Sequence, residues 1–218
     1  MDNARMAELL QPFLAATELP PLVLEQLQLY LELLLRWNEK INLTGIRDAP
    51  TCLRRHFGES LYLGRWVELQ GRLLDIGSGA GFPGLCLKII YPRLEVTLLE
   101  PVAKKRAFLK EVTRVCALAP VEVRAERLED FAVGAAPREY DAATARAVGH
   151  LEVLVPQAAR CLGARGALFL WLSRAQASTL GYQRGDVKRV RSLPVPGGGE
   201  GEIWWGKKAW DVPRETGE

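Results

Sequence analysis

The chain is poor in the residues that declare metal or redox chemistry. It has four cysteines and two histidines in 218 residues. Cys52, Cys86, Cys116 and Cys161 lie far apart, so no pair has the close spacing of a zinc site or a redox motif. They read as small buried apolar residues. No obvious Ser/His/Asp set is present either. No apolar run reaches the ~18–20 residues that span a bilayer. The first residues, "MDNARMAELLQPFL", carry early acids and no long apolar core, unlike a secretory signal. Internal repeats and low-complexity tails are missing. A net charge of +3 leaves no strongly basic tail. These absences predict a soluble cytoplasmic protein without a metal and without a membrane partner; a monomer is expected, though no residue pattern fixes it.

What is present is ordinary globular composition, 48% hydrophobic and 25% charged, enough to bury a core. Acids exceed bases over residues 1–70, and bases exceed acids over 71–183. The basic bias permits a phosphate-bearing partner and equally fits a solvated surface. Residues 1–70 read as a helical extension. "LVLEQLQLYLELLLRWNEK" from Leu22 has leucines at helical intervals after Pro20-Pro21. "INLTGIRDAP" interrupts, and "TCLRRHFGESLYLGRWVEL" resumes as a helix opened by Thr51.

From Arg72 the rhythm changes. "LLDI", "EVTLLE", "VEVRA", "DAATA" and "GALFLWL" read as strands. "PGLCLKIIYP", "VAKKRAFLKEVTRVCAL" and "LEVLVPQAARCLG" read as the helices among them. This alternation predicts βαβ units and a parallel sheet. "DVKRVRSLPVPGGGEGEIWWGKKAW" reads as an antiparallel hairpin closing one edge. The expected fold is α/β: a Rossmann-like, seven-stranded sheet over 71–218, with a C-terminal antiparallel hairpin and an N-terminal helical extension over 1–70.

"LLDIGSGAGFPG" sits where such a sheet binds ligands, beyond the carboxyl end of its first strand. Gly77, Gly79 and Gly81 let the main chain bend and admit a ligand closely, and the following helix start contributes N–H groups. Phe82 stands where a dinucleotide fingerprint needs its third glycine, and Lys88 is misplaced for a phosphate loop. G-x-G-x-G after a strand ending in Asp is instead the usual form in methyltransferases using S-adenosylmethionine. Asp75 would support the loop amides or the cationic tail of that molecule. Glu100, ending the second strand, would accept both ribose hydroxyls. Glu126, after the third strand, would either accept from the adenine amino group or cap the next helix.

"WNEKINLTGIRD", "RRHFGESL", "LLDIGSGAGFPGLCLKI", "VTLLEPVAKKRAFL", "VEVRAERLED" and "YDAATARAV", in this order, resemble the ribosomal small-subunit methyltransferase G family, also called glucose-inhibited division protein B. The resemblance runs from about Trp37 to Val148. It implies methylation of N7 of a guanine in 16S ribosomal RNA, free or within the small subunit, from S-adenosyl-L-methionine. The implied cofactor contacts are Gly77, Phe82, Glu100, Ala125 and Glu126, within a set of candidates that also holds Asp75, Ser78, Gly79, Gly81 and Arg146. Arg146 matches the arginine of the family's "SRA" motif and would meet RNA or guanine; a structural salt bridge with Asp75 or Asp141 is the alternative. Asn38 and His56 match polar positions ahead of the core and are candidate substrate-binding residues, His56 toward the RNA backbone or else structural. Lys105, within Lys104-Lys105-Arg106, reads as an RNA-phosphate contact or a solvated face. Trp204-Trp205 places one indole on the core and one outside, with base stacking possible for the latter. Trp37 reads as a packing anchor.

The chain departs from the family at three points. Glu59 replaces an aspartate, "LLEP" replaces "LLDS", and the lysine of "MKG" after the fifth strand is missing, with Arg174 nearby. Guanine N7 has a free lone pair, so transfer needs no general base and no catalytic residue is named. The competing readings are a methyltransferase for a small molecule or protein, a nucleotide-sensing module, and a nicotinamide dehydrogenase, the last opposed by Phe82.

Overall fold

A computed structural model describes residues 2–14, 18–133, 140–181, 183–184, 187–197 and 201–208. The tip of the expected hairpin, residues 198–200, and the end of the expected core domain, residues 209–218, lie outside the described residues.

The N-terminal extension is helical, as read. α1 (Asn3–Leu10) starts at Asp2, whose side chain accepts from the Arg5 amide. α2 (Pro21–Ile41) buries Leu27, Tyr30, Leu31, Leu33, Leu34 and Asn38 along one stripe and stops at Asn42 in the left-handed conformation. The next helical segment is capped by Asp48, not opened by Thr51: the Asp48 carboxylate accepts from the Thr51 amide at 2.9 Å. It is also not one regular helix. It runs as α3 (Ala49–Cys52), a π-helical stretch Leu53–Gly58, α4 (Glu59–Leu61) and a tight 3-10 stretch Tyr62–Arg65.

The sheet then assembles as the alternating pattern demands. β1 (Arg72–Ile76), α5 (Gly84–Ile90), β2 (Glu95–Leu99), α6 (Ala103–Val115), β3 (Val121–Arg124), α7 (Leu128–Val133), β4 (Tyr140–Arg146), α8 (Leu151–Cys161) and β5 (Leu162–Ser173) follow in order. α9 (Arg174–Leu180) and the two-residue β6 (Gln183–Arg184) lead to β7 (Val187–Pro194) and β8 (Gly201–Lys208). The strand order is β3-β2-β1-β4-β5-β8-β7-β6. β1 to β5 are parallel, and β8 joins β5 antiparallel and pairs with β7, as the hairpin reading requires. The seven expected strands are there, with β6 added at the outer edge. The order reverses between β1 and β4, and an open α/β sheet has its crevice at that point.

Each face of the sheet carries its own core. One holds the buried residues of α1, α2, α5 and α6 together with the 52–63 segment; the other holds those of α7, α8 and α9. The extension therefore shares a core with the sheet. Phe108, fully buried on α6, meets the edge of Trp37 at 5.6 Å and Tyr30 at 6.3 Å. That places Trp37 as the anchor it was read to be. Trp204 is fully buried, and Trp205 is half-buried against Phe169 on the opposite face. All four cysteines are buried. Among the described residues, no helix is long and apolar enough to cross a membrane.

Phe108 joins the two halves of that first core, so Phe108→Ala is expected to lower the free energy of unfolding by about 3–5 kcal/mol. Urea denaturation followed by tryptophan fluorescence measures it; a loss under ~1 kcal/mol would mean that α2 and α6 barely depend on each other.

Candidate cofactor cleft

The turn after β1 is shaped by hydrogen bonds that its own backbone cannot close alone. Gly77, Gly79 and Gly81 all have positive φ, at 65°, 58° and 93°, a region that costs a side-chain-bearing residue. The Ser78 amide donates to the Leu99 carbonyl at 2.9 Å, and the Gly81 and Phe82 amides both donate to the Ser78 carbonyl. The Gly79 amide donates to Glu100 Oε2 at 2.9 Å, while Oε1 of the same carboxylate accepts from the Val102 amide at 2.8 Å. Glu100 is thus buried and ties the loop to the end of β2.

Asp75 works from below. It is fully buried; Thr144 Oγ1 donates to its Oδ1 at 2.7 Å, and its Oδ2 has no hydrogen-bond partner. The start of α5 lies directly against it: a Cβ on Gly84 would come within 2.8 Å of the carboxylate. Burial pushes the Asp75 carboxyl up to about 6, against the pull of the Thr144 hydrogen bond. Ser78 is also buried, its hydroxyl donating to the Asp75 carbonyl at 3.0 Å. Neither side chain reaches the surface.

Above the loop lies an open cleft of about 390 Å³, within the ~300–1,000 Å³ usual for small-molecule sites. Gly77, Pro101 and Glu126 edge it, and Ile76, Leu99, Leu128, Val148 and Leu154 give it apolar walls. Of the residues marked in the sequence, Gly77 and Glu126 meet here. Ala125 is exposed beside Glu126. Glu126 pairs with Arg124, which holds its carboxyl down at about 2, so it stays an acceptor. A nucleoside fits this donor set: apolar walls for a base, a bare glycine edge, and a carboxylate. The walls Val148 and Leu154 were not marked in the sequence. The only signal for them was their place, just after β4 and on the helix that follows it.

The remaining marked residues sit on the side of the extension. Phe82 turns away from the cleft and stacks on His56, with ring centroids 5.0 Å apart, and on Tyr30, at 5.2 Å. Asn38 is buried: its side-chain oxygen accepts from the Thr44 amide at 2.8 Å and its amide donates to the Ile46 carbonyl at 3.3 Å. Thr44 Oγ1 in turn meets His56 Nε2 at 2.6 Å. Asn38, Thr44 and His56 thus form one chain that shapes the 42–46 turn. Burial first, then the charges of Arg146 and Arg55, hold His56 down to about 4.

Arg146, at the end of β4, points inward. It donates to Glu59 Oε2 at 2.8 Å, to the His56 carbonyl at 3.2 Å, and to the Arg55 carbonyl. Its ion pair is thus with Glu59 and with neither alternative partner named for it, Asp75 or Asp141; Asp141 accepts instead from the Arg72 amide. Trp171, its neighbour on β5, donates to the Glu59 carbonyl at 2.8 Å. The π-helical segment is therefore clamped over the ends of β4 and β5. Lys105 is half-buried on the first turn of α6, outside the cleft lining, and Arg106 donates to the Glu100 and Pro101 carbonyls at 3.0 and 2.6 Å. Among the described residues, no group of three His, Cys, Asp or Glu side chains is placed to hold a metal.

Comparison with known proteins matches residues 23–184 to the family described as rRNA small subunit methyltransferase G. A Ribosomal RNA small subunit methyltransferase G of Chloroflexus aggregans is 43% identical over 181 residues, covering 79% of this chain and 76% of that one. One from Roseiflexus castenholzii is 47% identical over 136 residues, covering 61% and 57%. Among solved structures, ribosomal protein L11 methylase from Lactobacillus delbrueckii subsp. bulgaricus aligns with a TM-score of 0.59 at 11% identity, over 76% of this chain and 81% of that one. This last likeness is one of fold.

The two shifted groups give opposite pH dependences. Asp75 binds its proton more tightly folded than unfolded, so its contribution to stability falls as pH rises from its ordinary 3.8 to about 6. His56 binds its proton less tightly folded, so its contribution rises with pH from about 4 to the ordinary 6.5. Relative to wild type, Asp75→Asn is therefore expected to gain stability as pH rises between 4 and 6, and His56→Gln to lose it. Urea midpoints across that range check the two signs; slopes of the same sign would refute the assignment.

Proposed function

Since this chain belongs to the rRNA small subunit methyltransferase G family, we propose that it transfers a methyl group from S-adenosylmethionine to N7 of a guanine in 16S ribosomal RNA. The observation that carries the reading is the meeting of Gly77 and Glu126 in one cleft at the point where the strand order reverses. We assign the transfer to residues 71–218 and regard 1–70 as an extension packed on them.

Gly77, Pro101, Glu126 and Val148 would hold the nucleoside part, with Ala125 beside Glu126. The Glu126 carboxylate accepts a hydrogen bond and stays ionised across the neutral range. Glu100 contributes by fixing the Gly79 amide, and Asp75 and Ser78 by supporting the turn from beneath. S-adenosylmethionine, when bound, supplies a methyl group on a positively charged sulfur. Guanine N7 attacks with its own lone pair, so no residue of the chain must take a proton. The protein's part is to align the two and to exclude water from the apolar walls. Arg146 stabilises the segment above β4 and β5, and exposed Arg54, Arg55 and Arg174 near that rim are the cations we assign to RNA phosphates.

Incubating the protein with S-adenosylmethionine and undermethylated small-subunit RNA should produce N7-methylguanosine at one position, located by mass mapping. Binding to that RNA should weaken steeply with added salt, and turnover of bound RNA should show no ionisation between about pH 6.5 and 8.5. Transfer to a protein or small acceptor in place of RNA, or an unchanged RNA mass map in cells lacking the protein, would overturn the reading.

A further inference from the structure

The glycine loop has a second neighbour, on the side away from the cleft. Tyr30 sits in the middle of α2 and is fully buried. Its hydroxyl donates to the Ala80 carbonyl. Its ring lies parallel to Phe82, 5.2 Å away and 9° from coplanar, and against the edge of Phe57 at 4.9 Å. Gly81 completes the fit. A Cβ there would come within 2.5 Å of the Tyr30 oxygen and 2.6 Å of Leu85, in a backbone conformation with φ of 93°. Three successive loop residues, 80 to 82, thus bear on one side chain contributed by the extension.

A hydroxyl buried this deeply is costly unless it is paired, and the Ala80 carbonyl supplies the pair. Burial raises the phenol's pKa well above its usual value, so it remains a neutral donor. The loop is internally coupled as well. Gly81 and Phe82 both bond to the Ser78 carbonyl, and Gly79 bonds to Glu100. A shift at Ala80 therefore passes along this short turn to Gly77, which edges the cleft.

We propose that Tyr30 is a positioning residue for the cofactor: its hydroxyl and ring hold the glycine loop in the shape that presents Gly77 to the cleft, without touching the cofactor. The inference rests on the cofactor reading given above. It makes the helical extension, and not the sheet alone, a determinant of cofactor affinity.

Tyr30→Phe keeps the ring and its stacking and deletes only the oxygen. S-adenosylhomocysteine, the reaction's product, is titrated by calorimetry into wild type and variant, and the KM values for S-adenosylmethionine and RNA are measured separately. The Kd for S-adenosylhomocysteine and the KM for S-adenosylmethionine are expected to rise about tenfold, the worth of one such hydrogen bond, with the RNA KM unchanged. Gly81→Ala, which drives a methyl group toward the same oxygen, is measured in parallel and should move the same two constants. A lowered thermal midpoint with cofactor affinity within about twofold of wild type, in either folded variant, would show a purely structural hydroxyl and overturn the proposal. Wild-type protein that fails to bind S-adenosylhomocysteine would overturn the cofactor reading, and this inference with it.

Discussion

A turn in which every second residue is glycine has few side chains with which to hold its own shape, so its conformation depends on its surroundings. Here the imposition comes from three directions. Glu100 binds the Gly79 amide from the end of β2, Asp75 and Ser78 fill the space beneath, and Tyr30 and Phe82 pack on the far side. Most of the buried polar groups of the sheet's ligand edge are spent on this one turn. The arrangement leaves the cleft side of the loop bare, and that bareness is what a closely approaching ligand needs.

The same logic explains why the two acids nearest the glycine loop do not line the cleft. A carboxylate that must hold a loop cannot also be fully available to solvent, and Glu100 and Asp75 are both buried. Glu126, kept ionised by Arg124, lines the cleft together with Glu129. Chemistry at a nucleophile that already owns its lone pair is compatible with this economy. It asks for alignment and dryness rather than proton transfer. Arg146 follows the pattern, since its guanidinium binds Glu59 and two backbone carbonyls and so converts a cation at the mouth of the sheet into a strut.

Much of the fold was legible in the sequence because period and punctuation agree. "LLDI" and "EVTLLE" are short apolar runs bounded by turn residues, and they became β1 and β2 nearly residue for residue. The leucine-rich α2 was equally plain. The π-helical stretch over Leu53–Gly58 was not, because its apolar spacing resembles that of an ordinary helix and its carbonyls are held by Arg146 of β4, ninety or more residues later. β6, only two residues long, leaves no periodic trace. For the site, glycine spacing pointed to the turn after β1, and the strand ends pointed to the acids after β2 and β3. The direction in which each acid points was illegible, since it depends on partners distant in the chain. Arg146 shows this most clearly: its position was readable, whereas its partner Glu59 lies 87 residues away.

The two ends of the sheet bear on how the protein behaves in a crowded solution. A row of unpaired backbone groups at a sheet's margin invites a second chain to pair with it. On one side the margin is β3, four residues with charged Glu122 and Arg124. On the other, the short β6 covers only the start of β7, and the rest of β7 is broken by an irregularity between Arg189 and Arg191 and ends at Pro194. Among the described residues neither margin is a long, flat, neutral template, so each is a poor place for a second chain to add a strand.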